Sequence, residues 1–494
     1  MQRDSKKVIK MRSMGINALL SSLKTLSSII FPLITYPYIT GRISVTNIGK
    51  INFSQSIISY FTLIAAFGIS GFAVRTGSRI RDDRIAFEAF ADRVFTINII
   101  TTAVSLLLLL LLILLPTKLV EYRAFICILS VTVALVPVSV DWVYMIYEDF
   151  AYVTVRSILI SLLSIILMLV FVKDNNDVYL YVGLTTASNS LGNIFNFFHA
   201  KKFVRLGLTK DTHWRDYSKP LWIFFINSVT STIYLNSDMT LLGLMSTNRQ
   251  VALYSIATKI YSIAQQMIYA VVTTIIPRLA YIQKKSEDEF IKLLKNIVEI
   301  STFFVIPLMV GLVMVGKNIV LILSNSKYIK ATESLSILAV ALIFSVFASI
   351  LANGLLIVIN RERAVVTATI ASAIINLCLN FFFIPLWGQN GAAATTLIAE
   401  ITILSISIWF ARDYFKNIVN YTELLKAILG SIIMYIVNQN LSQFYSSNNL
   451  VNICEIVIIS VVVYFVSMII LKDNVLFGFL SKIKARVNKD YRHK

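Results

Sequence analysis

Residues 94–115 read VFTINIITTAVSLLLLLLLILL, without a single charged side chain. A helix rises about 1.5 Å per residue, so this run is long enough to cross the ~30 Å hydrocarbon core of a bilayer. A surface helix of the same length in a soluble protein has a charged or polar face toward water. The stretch therefore predicts a membrane-spanning helix.

Apolar runs of this kind occupy most of the chain, and about fourteen of them are long enough to cross a bilayer. They lie near 14–38, 49–72, 90–115, 122–146, 153–172, 178–198, 220–245, 251–277, 294–316, 333–358, 364–386, 391–410, 424–440 and 451–471. The composition agrees, because 57% of the residues are hydrophobic and only 14% are charged. We therefore expect an all-α membrane protein with about 14 transmembrane helices.

The formal net charge of +19 does not indicate a nucleic-acid-binding protein. The basic residues lie between apolar runs instead of forming one basic soluble module. Most of the 45 Lys and Arg residues fall in alternate connections, such as 199–219 and 278–295, and in the segment 472–494. Basic connections stay in the cytoplasm. The pattern therefore predicts that both termini are cytoplasmic and that the turns 41–48 and 246–250 are external.

Two predicted external turns are similar in sequence, since Gly41-Arg-Ile-Ser44 is matched by Gly243-Leu-Met-Ser246. Each turn stands at the same place in a group of six apolar runs, which indicates an internal repeat with its axis along the membrane normal. We expect two pseudo-symmetric six-helix bundles, two extra C-terminal helices and a basic cytoplasmic tail. Their predicted ranges are 1–205, 206–415, 416–471 and 472–494.

Enzymatic and metal-binding motifs are missing from the sequence. The three cysteines, Cys127, Cys378 and Cys454, lie within apolar runs and have neither a disulfide pattern nor a metal-ligand spacing. No phosphate-binding loop or nucleophile elbow occurs. We therefore predict no catalytic residue, no metal and no cofactor. The first apolar run, 14–38, is too long for a signal peptide, and we expect it to remain as a helix.

Four of the apolar runs carry polar residues at helical spacing, and these are the opening pair of each half. The polar residues are Ser21, Lys24, Ser28, Asn52, Ser56, Ser59, Asn227, Ser231, Tyr234, Asp238, Ser255, Lys259, Ser262, Gln266, Tyr269 and Thr273. Small polar residues also serve helix packing in membranes, which is the alternative interpretation. If the two halves face each other, the four stripes line one central cavity.

The charged residues in these runs favour a functional cavity. Lys24 lies about 16 Å from the cytoplasmic end of its helix, beyond the reach of its side chain. A charge at that depth costs about 2.5–3.5 kcal/mol, so Lys24 needs water, a counter-ion or a ligand. Lys259 lies nearer the external surface. The acidic residues Asp238 and Glu400 are candidates for binding a coupling cation.

Arg75 and Arg79 follow the second run. They either line a cytoplasmic mouth of the cavity or serve only to keep this connection in the cytoplasm.

Several short motifs resemble the oligosaccharide flippases of the polysaccharide transporter family. They are FPLITYPYITG at 31–41, GKINFS at 49–54, Asp141-Trp142 and NRQVALYSIATK at 248–259. The resemblance implies membership of the MOP (multidrug/oligosaccharidyl-lipid/polysaccharide) superfamily. It implies two six-helix bundles, a cavity lined by the first, second, seventh and eighth helices, and alternating access.

The resemblance implies that the chain flips an undecaprenyl-diphosphate-linked oligosaccharide in the bacterial cytoplasmic membrane, with coupling to H⁺ or Na⁺. Glycosyltransferases and a polysaccharide polymerase are the expected partners, together with membrane lipid. Lys24 and Lys259 would offset the diphosphate charge. The polar residues expected to contact the glycan are Ser28, Asn52, Asn227, Ser262 and Gln266. Relatives that flip the peptidoglycan precursor carry an arginine cluster here, whereas this chain has two lysines.

Three other functions are weighed against this one. A cation-coupled drug exporter of the same superfamily is the first alternative, but it needs acidic residues to attract its substrate. A membrane polymerase or ligase needs a long external loop, and the external connections here are short. A purely structural membrane protein has no reason to keep Lys24.

Overall fold

The structure, a computed structural model, describes residues 14–116, 118–479 and 481 of the 494-residue chain. Within these ranges the side chains of residues 14–19, 21, 22, 24, 25, 28 and 270–273 are not described. Over the described residues every regular element is a helix and no strand is present. The prediction of an all-α protein is confirmed.

The chain forms two compact units, residues 1–240 and 241–494. The helices that begin in the first unit are α1 (Met14–Arg42), α2 (Val45–Ala66), α3 (Ile69–Ile80), α4 (Arg84–Leu114), α5 (Arg123–Ala134), α6 (Val136–Ser139), α7 (Asp141–Tyr147), α8 (Phe150–Phe171), α9 (Val178–Ala200) and α10 (Trp214–Met245). The boundary between the units lies within α10, and the predicted division after residue 205 stays a prediction.

The second unit contains the remaining long helices. They are α11 (Asn248–Gln283), α12 (Glu287–Leu323), α13 (Ala331–Ser349), α14 (Glu362–Trp387), α15 (Gln389–Phe410), α16 (Arg412–Ile418), α17 (Tyr421–Leu441) and α18 (Asn449–Ile470). Helix α13 continues directly into a π-helix, Ile350–Leu356. Residues 474–479 are again helical.

Nine helical stretches in the described part of the chain are long and apolar enough to cross a membrane, or up to eleven if each of two bent pairs is one span. The bent pairs cover 118–147 and 248–283, with bends of 45° and 41°. The long helices α9 and α10 are not among them. Both carry many polar residues, which lowers their hydropathy. The chain is thus a multi-pass membrane protein, whereas the count of about fourteen spans stays a prediction.

Side-chain hydrogen bonds join α4 to the end of α2. Asn98 Nδ2 and Thr101 Oγ1 both donate to the carbonyl oxygen of Ala65, at 2.8 and 2.7 Å. Ser105 Oγ donates to the carbonyl oxygen of Phe61 at 2.6 Å. The last carbonyl groups of a helix have no partner within it, and lipid supplies none. The two bonds to Ala65 therefore satisfy a carbonyl group at the end of α2, and all three bonds fix the position of α2 against α4.

A left-handed turn separates α2 from α3 and brings the chain close to α10. Phe67 and Gly68 have φ values of 42° and 70°. A Cβ atom on Gly68 would lie 2.6–2.9 Å from backbone atoms of Leu221, Phe224 and Phe225. Only glycine satisfies both conditions, because it has no Cβ to strain the left-handed turn or to separate the two backbones.

We expect Gly68→Ala to lower the free energy of unfolding by about 2 kcal/mol or more, since it adds left-handed strain to a steric overlap. Thermal unfolding of the detergent-solubilised protein measures the change. Gly183→Ala in α9 is the matched control, because a Cβ there has no atom within 4 Å. A Gly68→Ala protein that melts with the wild type contradicts this account of the junction.

A cluster of charged residues anchors the chain after α18 to the start of α17. Lys426 Nζ donates to Glu423 Oε1 at 2.8 Å and to the carbonyl oxygen of Lys472 at 3.0 Å. Asn474 Nδ2 donates to the same carboxylate oxygen at 2.8 Å. Burial and a hydrogen bond with Glu423 raise the pKa of Asp473 to about 6. The folded chain therefore favours the protonated form of Asp473.

The pKa of Asp473 predicts a pH dependence of stability. A free aspartate has a pKa of about 3.9, so between about pH 4 and 6 the folded state binds more protons than the unfolded state. The contribution of Asp473 to stability is then largest below about pH 4 and is lost as the pH rises through about 6. Asp473→Asn is neutral at every pH and should flatten this dependence in thermal unfolding from pH 4 to 7. The exposed control Asp413→Asn should keep the wild-type dependence, and equal slopes for Asp473→Asn and wild type contradict the prediction.

Candidate functional site

A cavity of about 500 Å³ lies in the first unit among α2, α5, α9 and α10. Its polar lining consists of six Ser or Thr hydroxyls and the three carboxamides of Gln55, Asn189 and Asn236. Aliphatic side chains, among them Ile58 and Leu129, form the rest of the wall. None of the lining residues is charged. A polar, uncharged cavity between membrane helices suits a ligand rich in hydroxyl groups.

Four lining groups, on Gln55, Thr186, Asn189 and Thr232, lack a hydrogen-bond partner within the described part of the chain. The hydroxyl of Thr186, a residue that is 4% exposed, is buried and unpaired. The exposed carboxamides of Gln55 and Asn189 have no recorded partner among the described residues. Unpaired polar groups between membrane helices are costly unless water or a ligand satisfies them. These groups are therefore the candidates in this cavity for contact with water or a ligand.

Most of the remaining hydroxyls donate hydrogen bonds to backbone carbonyl oxygens of their own helices. Thr62 Oγ1 donates to the carbonyl oxygen of Ile58 at 2.9 Å, and Thr185 Oγ1 contacts two carbonyl oxygens of α9 at 3.0–3.1 Å. Each such hydroxyl keeps lone pairs that can accept a further hydrogen bond. Ser190 Oγ donates to Thr132 Oγ1 at 3.1 Å and holds α9 against α5. The wall is thus held in place without a ligand.

A second polar group, in the other unit, surrounds a buried carboxylate. Glu400 on α15 is 4% exposed, and Tyr261 of α11 donates to its Oε1 at 3.2 Å. Gln265 Nε2 lies 3.1 Å from the Tyr261 hydroxyl and 2.5 Å from Ser345 Oγ on α13. The hydroxyl of Tyr269 lies 2.7 Å from the same Ser345 oxygen. Tyr261 thus holds the carboxylate, and Gln265 and Tyr269 connect the network to Ser345 on α13.

The predicted site residues of the first unit have different environments. The side chains of Lys24 and Ser28 lie outside the described part of α1. Asn52 is half-buried, and its Nδ2 donates to the carbonyl oxygen of Ile48 at 2.8 Å. Asn227 is exposed, and Asp238 is buried. Arg75 and Arg79 are exposed on α3.

The predicted residues of the second unit follow α11 and α15. Lys259 and Ser262 are half-buried, Gln266 is exposed and Glu400 is buried. The convergence of all the predicted residues on one central cavity stays a prediction.

Of the polar residues that line the first-unit cavity, sequence reasoning selected Ser59 and missed the others. On α10 the cavity is lined by Thr232 and Asn236, not by the predicted stripe that contains Asn227 and Asp238. The contribution of α9 was overlooked, although TTASNS at residues 185–190 interrupts an apolar run. This run of polar residues is the sequence signal that could have identified α9 as part of the cavity wall.

On α11 the sequence selected Gln266, whereas the neighbouring Gln265 joins the network at Glu400. The i, i+4, i+8 spacing of Tyr261, Gln265 and Tyr269 would have identified the correct face.

Comparisons with known proteins agree with this architecture. A family model described as "Polysaccharide biosynthesis protein" matches residues 14–283, more than half of the chain. A protein of Escherichia coli named as an O-antigen transporter is 21% identical over 398 residues, which cover 78% of this chain and 94% of the relative.

A second relative, named as a low-salt glycan biosynthesis flippase of Haloferax volcanii, is 25% identical over 210 residues. That match covers 42% of this chain and 44% of the relative, and thus less than half of either. Among solved structures, the lipid II flippase MurJ in an inward closed conformation has a TM-score of 0.75 at 16% identity, with 93% of this chain and 99% of MurJ covered. The two proteins therefore share a fold.

Proposed function

The chain belongs to the polysaccharide biosynthesis protein family within the MOP superfamily, and we propose that it is a flippase for lipid-linked oligosaccharides. Its substrate is an oligosaccharide on undecaprenyl diphosphate, which it moves from the cytoplasmic to the external leaflet by alternating access. The names of the relatives, an O-antigen transporter and a glycan flippase, support transport over an enzymatic reaction.

The observation that carries this proposal is the uncharged polar cavity of the first unit. A glycan loses many hydrogen bonds to water when it enters a membrane, and polar protein groups must replace them. The cavity offers hydroxyls and carboxamides at a depth where the surrounding helices are otherwise apolar. The lipid tail of the substrate needs no such site, because it stays in the bilayer.

The diphosphate requires cations, and the membrane runs contain two lysines that can supply them. Lys24 lies deep in α1 by its sequence position, and Lys259 is half-buried on α11. A lysine ammonium binds phosphate oxygens as a point charge with three donors. We propose that both lysines offset the charge of the diphosphate and that the diphosphate is held outside the uncharged cavity of the first unit.

Ion coupling is the third part of the proposal. Glu400 is buried and fixed by Tyr261, and Asp238 is buried on α10. Either carboxylate can take up H⁺ or Na⁺ on the external side and release it inside. Outward movement of an anion is favoured by an interior-negative potential, so the cation serves to reset the empty carrier or to neutralise the lysines.

The proposed location is the bacterial cytoplasmic membrane, with both termini in the cytoplasm, as the positive-inside pattern predicts. Glycosyltransferases then build the substrate on the inner leaflet, and a polysaccharide polymerase receives it on the outer leaflet.

We expect Lys24→Ala to reduce polysaccharide export by about tenfold or more, because it removes a charge-assisted contact to phosphate. Lys24→Arg should keep part of the activity, since the charge remains while the head-group geometry changes. Export is measured by complementation of a flippase-deficient strain at equal protein level. Lys50→Ala is the control, because Lys50 forms a partly exposed ion pair with Glu121 at 2.8 Å. Full export by Lys24→Ala contradicts the role of this lysine.

The coupling has its own test in proteoliposomes. An imposed pH or Na⁺ gradient should accelerate flipping by the wild type, and Glu400→Gln should abolish the acceleration while leaving gradient-free flipping measurable. The amide keeps a hydrogen-bond acceptor for Tyr261 but cannot carry the negative charge. Glu121→Gln, which changes an exposed carboxylate, should behave as the wild type. Wild-type flipping that is indifferent to both gradients removes the coupling and leaves the flippase proposal standing.

A further inference from the structure

We propose that the cavity of the first unit binds an uncharged sugar unit of the glycan, with Gln55, Thr186 and Asn189 as the groups that recognise it. The inference rests on the proposed function, because a glycan cargo is what brings sugar hydroxyls to this depth. It assigns a specific binding site, a class of ligand and a basis for selectivity between sugars.

The three groups lie far from the ends of their helices. At about 1.5 Å per residue, Gln55 is ~15 Å along α2 from Val45, and Thr186 is ~12 Å along α9 from Val178. Asn189 follows almost one turn further along α9. Such a depth is unfavourable for polar side chains that serve no interaction. Simple exposure to water at a helix end therefore does not account for them.

Their hydrogen-bonding capacity is not used within the described part of the chain. Thr186 is 4% exposed and its hydroxyl has no partner, although it lines the cavity. The carboxamides of Gln55 and Asn189 are exposed in the cavity and have no recorded partner within the described residues. Other lining groups, such as Thr62 and Thr185, are bonded to their own helices. The unpaired groups thus lie on α2 and α9, with the Thr232 hydroxyl on α10 as a fourth.

The chemistry of these groups matches a sugar ring. A carboxamide places a donor and an acceptor side by side, so it can pair with two adjacent hydroxyls of one ring. Two carboxamides and one hydroxyl, on α2 and α9, belong to the lining. Aliphatic side chains between them, including Ile58, Leu63 and Leu129, can cover the apolar C–H face of the ring. A volume of about 500 Å³ is within the range of small-molecule sites.

The lining also determines which sugars are excluded. It contains no charged residue, so an ionised uronic acid or a sugar phosphate would be buried there without a counter-ion, at a high desolvation cost. For the same reason the diphosphate of the substrate does not bind in this cavity. We therefore infer that the cavity is selective for neutral sugars and that the phosphate is held elsewhere.

Binding of soluble sugars to the purified full-length protein tests the site. Saturation-transfer difference NMR in detergent, at pH 7, would use the methyl glycosides of glucose, galactose and N-acetylglucosamine as neutral probes and glucuronate as the anionic probe. We expect saturation transfer to at least one neutral glycoside and none to glucuronate. Transfer to glucuronate as strong as to the neutral probes, or no transfer to any neutral probe, overturns the assignment.

Two variants with matched controls locate the binding. Thr186→Val removes the unpaired hydroxyl with little change in shape, and Asn189→Leu removes a carboxamide. Each should weaken neutral-sugar binding by about fivefold or more, as expected for one lost hydrogen bond. The controls are Thr230→Val, whose hydroxyl bonds to its own helix at Ile226, and Asn193→Leu, one turn beyond Asn189 and outside the lining. Equal binding by the variants and these controls removes the site.

Export by the same proteins separates this inference from the proposed function. If deletion of the gene abolishes export and the two cavity variants export less than their controls at equal protein level, both hold. If deletion abolishes export while the cavity variants export and bind sugar as the wild type does, the sugar site is wrong and the flippase proposal stands. Export that survives deletion contradicts the flippase itself.

Discussion

Hydrocarbon offers no hydrogen-bond partner, and every polar group within the membrane must therefore find one inside the protein. This constraint accounts for the all-helical backbone, in which backbone N–H groups donate to the carbonyl oxygens four residues earlier in the same helix. It also accounts for the bonds from Asn98 and Thr101 to the carbonyl oxygen of Ala65, and for the bond from Tyr464 to the carbonyl oxygen of Phe303. Against this background, the unpaired hydroxyl of Thr186 is one of a small number of buried polar groups without a partner in the described part of the chain, and it belongs to a residue that lines a cavity.

The same constraint acts more strongly on charges than on neutral polar groups. The first-unit cavity contains hydroxyls and carboxamides but no charged side chain. In the second unit, the buried carboxylate of Glu400 is fixed by Tyr261, which in turn contacts Gln265. The uncharged cavity and the buried carboxylate thus have different surroundings within the chain. The proposed substrate needs neutral polar groups for its glycan, whereas its diphosphate needs cations, which neither of these two surroundings supplies.

The class of fold could be predicted from the sequence because membrane insertion depends on hydrophobicity, which is summed over the residues of a segment. A run such as 94–115 is long and apolar wherever it packs, and the prediction of a multi-pass helical protein was confirmed. The precise lining could not be predicted. Helical periodicity shows which residues share a face, but not which neighbouring helix that face meets. Thr232 and Asn236 are polar and four residues apart, as are Asn227 and Ser231, yet only the first pair lines the cavity. On α11 the prediction was wrong by one residue, because it selected Gln266 whereas Gln265 joins the network at Glu400.

The uncharged lining determines how easily substitutions can alter which sugars the cavity accepts. Hydroxyls and carboxamides both donate and accept, so they can pair with neutral sugars in more than one arrangement. Discrimination between two neutral sugars then depends on a few hydrogen bonds, and one substitution on α2 or α9 can alter it. Rejection of an anionic sugar has a different origin, because it follows from the absence of any counter-charge in the wall. To accept such a sugar, the cavity would need a new cation, and that cation would have to be stable in the membrane while the site is empty. Selectivity for charge is therefore harder to change than selectivity between neutral rings.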